Sequence, residues 1–88
     1  MTERLSLTYN GEIVGWIDDA RYDFPHYYGR WIGSDVPAAL VFLTELRRAI
    51  DQEDGLDVTL GETIPGVVYV HPDDNDGEID VRMRSLAR

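Results

Sequence analysis

Arg4-Leu5-Ser6-Leu7-Thr8-Tyr9-Asn10-Gly11-Glu12-Ile13-Val14-Gly15-Trp16-Ile17-Asp18 reads as a β-hairpin. Its Asn10-Gly11 centre is a strong two-residue turn signal, because both central positions of a type I′ turn need positive φ. Such a turn pairs Tyr9 with Glu12, Leu7 with Val14 and Leu5 with Trp16. One face then carries Leu5, Leu7, Val14 and Trp16. The other, with Ser6, Thr8, Ile13, Gly15 and Ile17, is mixed. Gly15 marks a bulge, or a place where another backbone or a large side chain comes close.

Working outward, residues 18–25 read as a connection, although Ala20-Arg21-Tyr22 suits an extended strand. Pro25 keeps Phe24 extended and bars a helix here. Tyr27 to Ile32 reads as a third strand, interrupted by Gly29. The helix runs from Pro37, which suits a first turn because its missing N–H is not needed there, to about Glu53. Ala39, Phe42, Leu43, Leu46 and Ile50 recur at helical spacing. Glu45 with Arg48, and Arg47 with Asp51, sit at pairing distance on the outer face, and Gly55 is a suitable terminator. Leu56 to Leu60 reads as a short edge strand and Gly61 to Gly66, with Pro65, as a loop. Val67 to His71 and Glu78 to Arg84 form a second hairpin, in which Ile79, Val81 and Met83 alternate with charged residues. The order β-β-β-α-β-β predicts an α+β fold: a twisted antiparallel sheet of four to five strands with one helix packed on one face.

The 88 residues suffice for a single domain, 1–88. With 43% hydrophobic residues the composition is globular. Without cysteine there is neither a disulfide framework nor a thiolate metal site. The start of the chain lacks an apolar signal core, and the longest apolar stretch, Val36 to Leu43, is far short of the ~20 residues of a membrane span. A soluble cytoplasmic domain is expected. Seventeen acids against eight bases give a net charge of −9. All eight bases are arginine, which suits a GC-rich bacterial genome. The acidic excess disfavours nucleic acid, whose phosphates need clustered Lys or Arg, and favours a basic protein partner.

No recognised catalytic signature is present. Aligning Gly77 of Asp73-Asp74-Asn75-Asp76-Gly77 with the glycine of a calcium loop puts Pro72 and Met83 at ligand positions, and both fail. The segment is expected to be a solvated turn. His26 and His71 lack metal-ligand spacing. Ser6, Ser34 and Ser85 sit in no nucleophile motif, and Gly29 to Gly33 lacks the lysine of a phosphate loop. Asp18-Asp19 and Asp73-Asp74 are neighbours in sequence, which in a strand sends them to opposite faces. Neither catalysis nor a cofactor is expected.

Five of the nine aromatic residues lie between Tyr22 and Trp31. Phe24, Tyr28 and Trp31 are expected to plug the core. Tyr22, His26, Tyr27 and Arg30 are then expected to form an exposed binding patch, since Tyr, Trp and Arg are enriched among binding hot spots. Asp18, Asp19 and Asp23 would attract a basic partner to it.

Gly15-x-Ile17, followed by Asp23-Phe24-Pro25-His26-Tyr27-Tyr28-Gly29-Arg30-Trp31 and an apolar helix, resembles a group of small bacterial proteins. In them a hairpin leads to an Asp-x-Pro-Trp-x-x-Gly-Arg-Phe-like segment. His26 stands here at the Trp position and Trp31 at the Phe position. The likeness spans about half of the chain, implies a compact α+β fold and brings no reaction, so no catalytic residues carry over.

The reading that joins these features is a small, acidic, non-catalytic protein-binding domain of immunity or antitoxin type, acting on a basic protein. The alternative is a structural or regulatory subunit that forms a homodimer through a sheet edge.

Overall fold

The computed structural model describes residues 4–84, so Ser85 lies outside the described residues. Six strands and one helix follow in the order β1 (Leu5–Tyr9), β2 (Glu12–Asp23), β3 (His26–Gly33), α1 (Pro37–Asp51), β4 (Leu56–Leu60), β5 (Ile64–Val68) and β6 (Glu78–Met83). A 3-10 turn at Pro72–Asp74 interrupts the connection between β5 and β6.

Asn10 and Gly11 both adopt positive φ, 53° and 83°, and Tyr9 faces Glu12. Beyond Thr8 opposite Ile13 the register slips, so that Leu7 faces Gly15 and Leu5 faces Ile17, with Val14 as the extra residue. This corrects the expected Leu7–Val14 and Leu5–Trp16 pairs. Ile17 is fully buried, and Trp16 is the outer-face residue, its ring 5.8 Å from the Arg4 guanidinium. A one-residue slip moves every later side chain to the opposite face.

A second irregularity falls between Asp18, opposite Arg30, and Arg21, opposite Tyr28. Asp19 has a φ of 55°. On the facing strand a Cβ at Gly29 would lie 2.7 Å from the Asp18 carbonyl oxygen, so only glycine fits this bend. The segment expected to be a connection is therefore strand as far as Asp23. Bulges raise local twist and bend a sheet, and these two curl β2 far enough for closure.

The sheet closes in the order β1-β2-β3-β6-β5-β4. The last seam is short: Leu7 faces Leu60, Thr8 faces Thr59, and the Gly61 N–H donates to the Ser6 carbonyl at 2.9 Å. The fold is thus a closed six-stranded antiparallel barrel with one helix, not an open sheet of four to five strands covered on one face. Two local readings hid this. Leu56–Leu60 is not an edge strand, because β1 and β5 both pair with it. The expected loop 61–66 contains the start of β5, with Pro65 opposite Thr59. Pro65 is tolerated because the β5–β6 ladder begins only at Gly66 opposite Met83. The strand expected over 67–71 ends at Val68.

Leu7, Val14, Ile17, Val58, Leu60, Val68, Ile79 and Val81 fill the barrel, joined by Ala39, Phe42 and Leu46 from α1. Burying each large apolar side chain contributes ~1.5–3 kcal/mol. Phe42 lies 5.4 Å from Tyr9 and 5.6 Å from Trp31 between ring centroids, tying the helix to β1 and β3. Leu43 and Ile50, at the margins of the stripe, are only partly buried.

The helix ends in a Schellman arrangement: the Glu53 N–H bonds the Ile50 carbonyl and the Asp54 N–H that of Ala49. Glu53 takes the left-handed position, with φ 58°. Gly55 does not terminate the helix; it makes room, since a Cβ there would lie 2.8 Å from Tyr69 Cε1. Arg48 pairs with Glu45 at 3.7 Å. Arg47 reaches not Asp51 but Asp74, at 2.6 Å, and so ties the helix to the β5–β6 connection.

Candidate functional site

The pairing of β3 with its two neighbours sorts the aromatic run onto opposite faces. Tyr27 faces Val81 and Gly29 faces Ile79, both buried, so these positions point inward. His26, Tyr28 and Arg30 alternate with them and point outward. Tyr22 is directly opposite Tyr27 and continues the inner face past the end of the barrel, with 4.7 Å between the ring centroids.

The expected patch is therefore divided. Tyr22 and Tyr27 stack together, and Tyr27 packs against the core. His26 and Arg30 lie on the outer face with Asp18, Asp23, Tyr28 and Asp80. Asp18 accepts from Arg30 at 2.5 Å and lies 3.5 Å from Arg4. The hydrogen bond from Arg30 holds its carboxyl below the usual aspartate range, reinforced by the charge of Arg4. Asp19, on the bulge, meets Arg21 at 3.4 Å. His26 Nδ1 is 2.8 Å from Asp80 Oδ1. His71 lies elsewhere, 6% exposed, and its Nδ1 accepts the Asp73 N–H at 3.1 Å, capping the 3-10 turn. Among the described residues no three His, Cys, Asp or Glu side chains are grouped to hold a metal ion.

Phe24 overturns its expected place in the core. It sits at the tip of the β2–β3 hairpin, before a cis Pro25, and is 73% exposed. Tyr28 is half-buried on the outer face, and only Trp31 of the expected trio reaches Phe42. Phe24 lies 6.4 Å from Tyr22 between ring centroids, and Tyr22 is itself 53% exposed.

Beside this tip opens a cleft of about 610 Å³. Phe24 and Pro25 form one wall, Val67 and Tyr69 another, and Arg82, Met83 and Arg84 line the rest. The Met83 N–H donates to the Pro25 carbonyl at 2.7 Å, holding the tip against the end of β6. Tyr69 is 54% exposed and stands over the space left by Gly55. Three large aromatic side chains thus share one end of the molecule, with arginine beside them.

Tyr69 and Arg82 were not legible as site residues. Each reads locally as one more residue of a strand, and only the docking of the hairpin tip brings them to Phe24. Such a cleft suits binding: it offers an apolar floor, aromatic walls and a directed cation. No helix among the described residues is long and apolar enough to cross a membrane. No protein-family model, curated protein or solved structure matches this chain.

Proposed function

We propose that this chain is a small non-catalytic protein-binding domain, of the kind that neutralises or modulates a partner as an immunity protein or antitoxin does. The observation that carries the reading is the pair of Phe24 and Tyr69 lining one cleft, with Tyr22 against Phe24 beside it, each of the three more than half exposed. Exposed apolar area gathered in one place marks an interaction surface, and rigid aromatic side chains make efficient anchors. A net charge of −9 steers a basic partner toward the chain from a distance. On the same hairpin Asp18 is paired with Arg4 and Arg30 and Asp19 with Arg21, so that of the three acids there Asp23 is the one that adds to that field.

Closure of the barrel removes support from association through a sheet edge, because the exposed edge expected at β4 is paired with β1. The binding end is the aromatic one.

The test is affinity capture from the native host, followed by measured binding of the purified partner. Wild-type chain should bind it, and the double variant Phe24→Ala, Tyr69→Ala should weaken binding by about a hundredfold, as loss of two anchors implies. Its melting temperature should stay close to that of the wild type. A partner whose affinity ignores both substitutions would overturn the assignment of the surface.

A further inference from the structure

Arg82 is exceptional in its surroundings. Every other arginine among the described residues has a carboxylate within 3.7 Å: Arg4 and Arg30 share Asp18, Arg21 has Asp19, Arg47 has Asp74, Arg48 has Glu45 and Arg84 has Asp57. Acids outnumber bases two to one in this chain, yet no described acid pairs with Arg82. The pairing of the sheet explains why. His26 and Val67 stand directly opposite it on either side. Asp80, two residues before it on the same face, is taken up by His26 at 2.8 Å. Asp57, across the cleft floor, is taken up by Arg84 at 3.4 Å. An exposed guanidinium is thus left facing the apolar cleft.

We propose that the cleft accepts an extended segment of the partner in which an apolar side chain adjoins an aspartate or glutamate, an inference that rests on the protein-binding reading above. The apolar group seats among Phe24, Val67, Tyr69 and Met83, and the carboxylate pairs with Arg82. Guanidinium and carboxylate match in a planar, two-point hydrogen-bonded geometry. The volume of about 610 Å³ is within the ~300–1,000 Å³ typical of ligand sites. The arrangement is selective in two stages. The negative field of the chain draws in partners that are basic as a whole, and the cleft then admits those with a carboxylate beside an apolar anchor. Segments acidic throughout are repelled by the rest of the surface.

The experiment uses the full chain, isotope-labelled, and two terminally blocked peptides of Gly and Ser that carry Phe-Asp or Phe-Asn at the centre. Phe-Asp at millimolar concentration should shift the amide signals of Val67, Tyr69, Arg82 and Met83. It should bind about tenfold more tightly than Phe-Asn, the scale of one charge-assisted hydrogen bond. Arg82→Gln should abolish that preference, and Arg82→Lys should restore part of it. Equal affinities, shifts confined to another surface, no binding of Phe-Asp, or a preference that survives Arg82→Gln would each overturn the proposal. A captured partner that depends on Phe24 and Tyr69 but ignores Arg82→Gln would sink this inference and leave the protein-binding reading standing.

Discussion

The indole of Trp31 lies over Gly15 on the neighbouring strand, in the space that any side chain at Gly15 would fill. The same ring meets Phe42 of the helix, 5.6 Å away between centroids. Bulge, strand and helix are thereby locked at one point. A Cβ at residue 15 would also lie 2.6 Å from the Ile32 carbonyl oxygen, a backbone atom that cannot swing aside. Gly15→Ala should therefore lower stability by ~1–3 kcal/mol, the range for overpacking a core. Urea unfolding followed by Trp fluorescence measures it, and an unchanged midpoint would show that the approach is not tight.

The helix offers a graded test of the core. Leu46 is fully buried and Leu40 is 71% exposed. Leu46→Ala should cost ~2–5 kcal/mol and Leu40→Ala less than ~0.5 kcal/mol. Leu43→Ala, partly buried, should fall between them. Equal effects at 40 and 46 in chemical denaturation would mean that the helix packs by another face.

Glu53 occupies a left-handed position at φ 58° and places an acid at a helix C-terminus. Both features are unfavourable, the first sterically and the second through the helix dipole. Glu53→Gly should raise stability by about 0.5–1 kcal/mol, read as an increase in melting temperature. A decrease would point to a role for the carboxylate that the helix end does not explain.

The two limbs of the pH profile have different owners. Burial pushes the Tyr9 phenol above its usual value of 10.0, helped by its hydrogen bond to Glu45. Its folded pKa exceeds its unfolded one, so its contribution is complete below pH 10 and is lost as pH rises through the folded value. Asp18 and Asp74 are shifted the other way, chiefly by hydrogen bonds from Arg30 and Arg47. Their contributions are present above the ordinary 3.8 and are lost as pH falls through the lowered folded values. Carboxylate NMR should show both titrating late on acidification, and Arg30→Gln should move Asp18 back toward the ordinary range, with Arg4 retaining part of the shift. In alkaline titration a phenol that ionises above 10 should vanish in Tyr9→Phe.

Some of this protein is legible residue by residue. Asn10-Gly11 dictates a hairpin turn because the demand for positive φ is local. Pro37 and the spacing of Ala39, Phe42, Leu46 and Ile50 dictate a helix, because a 3.6-residue period is written within one segment. Ile79 and Val81 alternate with Glu78, Asp80 and Arg82 for the same kind of reason, and those faces are as read.

What only the tertiary structure decided are matters of partnership. Whether Leu56–Leu60 is an edge or an interior strand depends on β1, roughly fifty residues away in the chain, and no local pattern records that pairing. Whether Ile17 or Trp16 faces inward depends on a single extra residue at Val14. Phe24 reads as core in a run of aromatic residues, yet the bend of β2 at Asp19 and the length of the hairpin carry it past the end of the barrel. Tyr69 and Arg82 come to line one cleft with Phe24 because Met83 holds the Pro25 backbone beside them. Turn geometry and periodicity reside in neighbouring residues, whereas closure, face and cleft are made by segments that meet only once the chain has folded.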